Sequence, residues 1–232
     1  MIGGISDRKE KDLSGIKFVI SDWDGTLVDS MPANTECFLE VMAEIGGDPG
    51  ELRNYYLSSA GSALTKQIKE AAKKFANKNI EDTRELEAKF FDYYLQMGEI
   101  RVLEGAFEAL KFLKENGFKV VVWSSQRTDI IAKKLEQTGF GEFVDFYIGA
   151  VPGDDLKVKG PFLIEEIAKH FQIPVEQLKR QSIVIGDGVA DIVAGQNSGA
   201  KTVGLGSQGP RLQEAGADYV IRDIGLLPDL LR

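Results

Sequence analysis

Residues 16–28 read IKFVISDWDGTLV. An apolar, β-favouring run, Ile16 with Phe18, Val19 and Ile20, stops at two acids, a glycine and a hydroxyl, the pattern of a buried strand ending at a polar site. Side chains alternate along a strand, so Asp22 and Asp24 leave on one side and Trp23 on the other. Two carboxylates about 4 Å apart repel by roughly 4 kcal/mol at an effective dielectric near 20, and a hard divalent cation is the natural offset. Oxygen-only ligation of this kind suits Mg²⁺, which retains water and commonly shares its site with a phosphate. By itself Asp-x-Asp-Gly also fits a surface turn, because Asp and Gly are turn formers.

Two more polar strand ends supply matching parts. Phe118 to Trp123 reads as a strand stopped by Ser124-Ser125 within SSQR (124–127), and Ser182 to Ile185 as one stopped by Gly186-Asp187-Gly188 within GDGVAD (186–191). Further strands at Phe143 to Ile148 and Thr202 to Leu205 alternate with helices at Ala106 to Asn116, Asp129 to Gln137, Phe162 to Phe171 and Asp191 to Asn197. A last helix, strand and helix run to Arg232. Repeated strand-helix units imply α/β architecture, a Rossmann-like parallel sheet covered by helices on both faces. Ligands of such sheets sit beyond the carboxyl ends of the strands, where strand order reverses. Three polar clusters meeting there predict a site.

Between the first strand and this alternation, residues 33–100 read as a helical insert. Phe38, Val41, Met42 and Ile45 share a helical face, which stops at Gly46-Gly47 and a turn Asp48-Pro49-Gly50. Ser62 is expected to cap a helix carrying Leu64, Ile68, Ala72 and Phe75, and Thr83 one carrying Leu86, Phe90, Tyr93, Tyr94 and Met97.

Composition removes several functions. Of 232 residues, 43% are hydrophobic and 28% charged, ordinary for a globular chain. A net charge of −8 and a pI near 4.9 argue against broad nucleic-acid binding. The single cysteine, Cys37, rules out an intramolecular disulfide and a thiolate zinc cluster, and reads as a small buried residue on a helix. The single histidine, His170, leaves little for a serine-histidine triad and reads as a helix-end residue. The charged N-terminus, MIGGISDRKEKDL, has no apolar signal core, and no window suits a membrane span, so a cytoplasmic location without membrane association is expected.

Taken together, DWDGT (22–26), VVVWSS (120–125) and IVIGDGVAD (183–191) resemble the haloacid dehalogenase superfamily, specifically its phosphohydrolase branch, over about Ile16 to Leu227. The insert resembles a type C1 helical cap of the kind found in phosphoglycolate phosphatase and β-phosphoglucomutase relatives. That resemblance implies a catalytic core of residues 1–31 plus 101–232 and a cap domain of residues 32–100. It makes Asp22 the nucleophile and Asp24 the general acid and base. Mg²⁺ would be held by Asp22, Asp187, Asp191 and the backbone carbonyl of Asp24. Ser124, with Ser125 beside it, and Thr26 of the first motif would meet the phosphate. A lysine before a helix is required to neutralise charge, and LKVKGPFLIEEI (156–167) offers Lys157 and Lys159, the Lys-Gly-Pro context favouring Lys159. YYLSSAGSALTK (55–66) lies where C1 relatives place a specificity loop, so Gly61, Ser62 and Lys66 are candidates to face substrate, against the alternative of a plain helix-helix turn.

The expected activity is hydrolysis of a small phosphomonoester by a monomer or small homo-oligomer, with a phosphomutase using the same acids as the first alternative and a non-catalytic phosphate-binding protein as the second. A dehalogenase would lack the second acid, which is present as Asp24. A receiver module would lack the helical insert.

Overall fold

The computed structural model describes residues 13–59, 62–97, 100–150 and 159–232. In chain order the elements are β1 (Phe18–Ser21), β2 (Val28–Asp29), α1 (Met31–Ala43), α2 (Pro49–Ser58), α3 (Leu64–Ala76), α4 (Arg84–Gln96) and β3 (Arg101–Val102). They continue with α5 (Ala106–Glu115), β4 (Lys119–Arg127), α6 (Thr128–Thr138), β5 (Phe146–Ala150), α7 (Pro161–His170), α8 (Val175–Gln181) and β6 (Ser182–Gly186). The last are α9 (Val189–Asn197), β7 (Lys201–Leu205), α10 (Gly209–Glu214), β8 (Tyr219–Ile221) and α11 (Leu227–Leu231).

Six strands form one parallel sheet in the order β5-β4-β1-β6-β7-β8. Strand order reverses about β1, whose neighbours β4 and β6 carry the other two polar ends, so the three clusters are brought to one edge. Period-two alternation sends Val19, Val120, Val122, Ile183 and Ile185 to one face, against Leu110 and Leu113 of α5 and Ile131 and Leu135 of α6. Phe18, Ile20, Val121, Trp123 and Val184 go to the other, against Leu163, Ile164 and Ile167 of α7. Both faces being dry explains why these strands read as continuous apolar runs. The fold is the Rossmann-like α/β sheet that the alternation predicts.

Helices α1 to α4 bury a second core of their own, with Phe38, Val41 and Met42 against Leu52, Tyr56, Ile68, Phe90 and Tyr94. Ile130 of α6 joins it from the sheet side, and the buried Lys134 of α6 donates to the Tyr94 carbonyl at 3.1 Å. Where the chain leaves the sheet and where it returns, β2 and β3 pair antiparallel, Val28 with Val102 and Asp29 with Arg101. Cys37 is fully buried in α1 and burial pushes its thiol up to about 11, as expected of an inert core residue. His170 ends α7 with its ring stacked on Phe146 at 4.0 Å.

Several local expectations are corrected. Asp48-Pro49-Gly50 is the start of α2 rather than a turn: Asp48 accepts from the Gly50 and Glu51 amides at 2.9 and 3.0 Å, and Pro49 occupies the first helical position. Ser62 does not cap α3, which begins after Ala63 without a side-chain cap. Thr83 precedes α4, but its hydroxyl donates to Glu87 Oε1 at 2.5 Å instead of capping the backbone. The strand expected from Phe143 begins at Phe146, because Phe143 closes a 3₁₀ turn onto Phe140. The short α8 has no counterpart in the sequence reading, since it carries too few apolar positions to show a period.

β4 runs four residues past Trp123 through a bulge. Ser124 pairs with Gly149 and Arg127 with Ala150, so Ser125 and Gln126 face a single step of β5. Gly149 permits this, since a Cβ there would lie 2.0 Å from the Gln126 carbonyl oxygen. Gly149→Ala is therefore expected to lose about 3 kcal/mol of stability through overpacking, measurable by urea denaturation.

Candidate active site

The loop after β1 is closed by its own backbone. Gly25 N–H donates to the Val28 carbonyl at 2.8 Å and Leu27 N–H to that of Trp23 at 3.0 Å. Trp23 is fully buried in the sheet core, so Asp22 and Asp24 turn the other way and both line a cavity of about 500 Å³, as the alternation predicts. Gly25 has φ +76°, and a Cβ there would stand 2.4 Å from Asp187 Oδ2. The end of β6 can therefore meet the β1 loop only at a glycine.

Asp22, Asp187 and Asp191 place a carboxylate oxygen each within 4.8 Å of one another. At that separation an ionised pair repels by roughly 3.5 kcal/mol at an effective dielectric of 20. Lys159 offsets part of this, its Nζ lying 2.5 Å from Asp22 Oδ1 and 2.7 Å from Asp191 Oδ1. Burial works to lower the lysine's pKa, but the Asp191 and Asp22 carboxylates outweigh it and raise it above the ordinary value. Lys159 is thus the lysine that reaches the acids; Lys157 lies outside the described residues. Asp191 is anchored in the first turn of α9, where Oδ2 accepts the Gly188 amide at 3.1 Å.

Burial first, then Asp191, raises Asp22 well above the usual carboxylate range, with Lys159 opposing. Burial and Asp191 push Asp187 up to about 6. Oxygen donors in mutual repulsion, with one ammonium among five carboxylates in the described cavity wall, fit a hard divalent cation, whose charge would reverse these upward shifts.

Asp24 is held differently. The Ser30 hydroxyl donates to its Oδ1, and Gln126 Nε2 reaches Oδ1 and Oδ2 at 2.9 and 2.8 Å. Burial raises its pKa against the lowering effect of Ser30, Lys159, Gln126 and Ser124. A carboxyl held up in this way carries a proton nearer neutrality, as a general acid must.

The remaining expected residues divide. Ser125 and Ser62 line the cavity. Ser124 is fully buried, its Oγ accepting the Gln126 amide at 3.0 Å while its side chain hydrogen-bonds Asp24. Thr26 is fully buried and is not part of the cavity wall. Lys66 points away on α3, 3.8 Å from Glu70 and largely exposed, because its helix presents Gln67 to the cavity instead. Gly61 lies outside the described residues. Sequence reasoning misses Ser30, Asn34 and Gln126. Ser30 and Asn34 are one helical turn apart at the start of α1, a spacing that puts both on one face. Gln126 stands within the SSQR cluster, but its inward aim depends on the bulge.

Carboxylates and a buried lysine at the strand ends of a parallel sheet define the site of a Rossmann-like α/β enzyme. Residues 19–205 match the haloacid dehalogenase-like hydrolase family, and the chain belongs to it. It is similar to a phosphoglycolate phosphatase of Psychrobacter arcticus, 26% identical over 227 residues covering 93% of this chain and 95% of that one. It is also similar to pyrophosphatase PpaX of Halalkalibacterium halodurans, 26% identical over 220 residues, with 93% and 95% covered. A haloacid dehalogenase-like hydrolase structure from Streptococcus pneumoniae shares the fold at a TM-score of 0.75 and 18% identity, over 94% of this chain and 100% of that one. The chain is a hydrolase of this family, its sequence relatives being phosphatases. No helix among the described residues is long and apolar enough to cross a membrane.

The raised Asp187 gives a signed prediction. A carboxyl whose folded pKa exceeds its unfolded value near 4 destabilises the fold increasingly as pH rises from about 4 to about 6. Metal-free Asp187→Asn protein should exceed wild type in stability above pH 6 by up to about 3 kcal/mol, the gap closing toward pH 4 in denaturant titrations.

Proposed function

We propose that this hydrolase is a Mg²⁺-dependent phosphatase that cleaves a small phosphomonoester through an aspartyl phosphate on Asp22. The observation that carries the reading is the division of labour between two carboxyls one residue apart. Asp22 is paired to a buried ammonium at 2.5 Å and belongs to the acidic cluster with Asp187 and Asp191, whereas Asp24 is held by the neutral donors Ser30 and Gln126. In the first step an Asp22 oxygen attacks phosphorus while the bond to the leaving oxygen breaks, and Asp24 gives that oxygen its proton. In the second, Asp24 takes a proton from water as the water attacks phosphorus and the bond to Asp22 breaks, releasing phosphate. Two easier displacements replace one hard one.

Lys159 stays charged throughout and faces the phosphoryl oxygens, whose charge is the main obstacle to attack by a carboxylate. Asp22, Asp187 and Asp191, with the Asp24 carbonyl, would hold Mg²⁺. When bound, it supplies positive charge that draws the phosphate in and keeps Asp22 ionised. Ser125 borders the phosphate end of the cavity. Residues 32–100 act in this reading as a cap domain over a core of residues 1–31 and 101–232. Tyr56, Phe90 and Phe91 from that segment shelter the reaction from water.

Asp22→Asn should lower phosphate release by at least about 10³-fold while far-UV circular dichroism keeps the native signal. Removing Mg²⁺ with a chelator should abolish release, and adding it back should restore it. An active Asp22→Asn protein, or full activity in chelator, would overturn the assignment. Isomerised product without free phosphate would mark a mutase instead.

A further inference from the structure

The cavity wall supplied by β2 and α1 to α4 differs in chemistry from the strand ends that hold Asp22, Asp187 and Asp191. Tyr56, Phe90 and Phe91 give it aromatic walls, and Asn34, Gln67 and Asp29 give it polar points. Among the described lining residues Lys159 is the sole cation, and it is committed to Asp22 and Asp191.

The two amides are oriented by their neighbours. Ser30 uses its proton on Asp24, so its oxygen can only accept, and Asn34 Nδ2 donates to it at 3.4 Å. That leaves Asn34 Oδ1, which is buried and without a hydrogen-bond partner. Gln67 Nε2 donates to the Ser59 carbonyl and hydroxyl oxygens at 3.1 and 3.0 Å, and the Ser59 hydroxyl donates onward to the Tyr56 carbonyl. Gln67 directs its amide nitrogen to two oxygens of Ser59 and Asn34 directs one N–H to Ser30, so the unpaired acceptor offered to a ligand is Asn34 Oδ1. Asp29 adds a carboxylate. A buried acceptor left unpaired is costly, so the site is completed by a donor. A carboxylate placed there meets the Asn34 acceptor and aromatic rings, beside an Asp29 carboxylate that Arg101 faces at 3.5 Å, with no cation beyond Lys159 among the described lining residues to pair it.

Resting on the phosphatase reading above, we infer that the leaving group is neutral and hydroxyl-bearing, a polyol or sugar. Its hydroxyl donates to Asn34 Oδ1 while its carbon face packs on Phe90 and Phe91. This separates the chain from the phosphoglycolate activity named for its relatives, whose leaving group is a carboxylate.

Two matched pairs isolate that one group: 2-hydroxyethyl phosphate against phosphoglycolate, and glycerol 3-phosphate against 3-phosphoglycerate. Each pair exchanges CH₂OH for a carboxylate. With the wild-type Mg²⁺-loaded protein, kcat/KM is expected to favour the hydroxylated member of each pair by about tenfold or more. Propyl phosphate, which has no hydroxyl, should be poorer than glycerol 3-phosphate, and Asn34→Leu should bring that ratio toward one. Equal or preferred turnover of the carboxylates would overturn the inference and leave the phosphatase intact. An unchanged glycerol-to-propyl ratio in a folded Asn34→Leu protein would overturn the role of Asn34. Failure to release phosphate from all five esters and from phenyl phosphate would overturn the phosphatase reading and this inference with it.

Discussion

The contact of one buried ammonium with two carboxylates holds the site together. Lys159 comes from the segment before α7, Asp22 from the end of β1 and Asp191 from the first turn of α9, so three separate parts of the chain meet at one nitrogen. Each charge would be expensive to bury alone. Their meeting is possible because the sheet order sets β1 between β4 and β6, and because glycines at 25 and 186 leave room beside Asp187 and Asp191. Even so, the acids outnumber the lysine, and burial first, then the mutual repulsion of the acids, raises the pKa values of Asp22 and Asp187. The site is left electrostatically incomplete by its own residues, and the proposed cation-assisted reaction on an anionic substrate would use that incompleteness.

Much of this arrangement is legible in the order of the residues. The abrupt change from Ile20 to Asp22 marks a strand end because burial on both faces demands an unbroken apolar run and a functional tip demands the opposite. The same contrast exposes β4 and β6, and alternation alone separates Trp23 from its two flanking acids. Lys159 is preferred from its place just before a helix. What escapes is whatever depends on three-dimensional detail finer than periodicity. The α2 start reads as a turn because Asp-Pro-Gly serves both purposes, and only the Asp48 hydrogen bonds decide between them. Gln126 stays hidden because an ordinary strand gives no reason to aim it at Asp24. Lys66 is misplaced because helical phase over a short segment is ambiguous by one residue, and one residue exchanges it for Gln67.

The family relation and the local chemistry answer different questions. The match over residues 19–205 covers the acids and the lysine, and it accounts for what the strand ends do. The aromatic and amide-lined wall comes from α1 to α4, and a shared fold leaves its preference open. Asn34 and Ser30 connect the two. The same hydroxyl that holds Asp24 accepts from the Asn34 amide, so the Asp24 carboxyl and an amide lining the cavity share one hydrogen-bond chain.

The antiparallel pairing of Val28 with Val102 and Asp29 with Arg101 stitches the outgoing and incoming chains side by side. A segment tethered this way presents its two ends as neighbours whatever lies between them. The strands of the large sheet draw none of their pairing from the helices between those two ends. In the proposed reading of a core with a cap, exchange of the tethered piece would alter selectivity while leaving the strand ends that carry the acids in place.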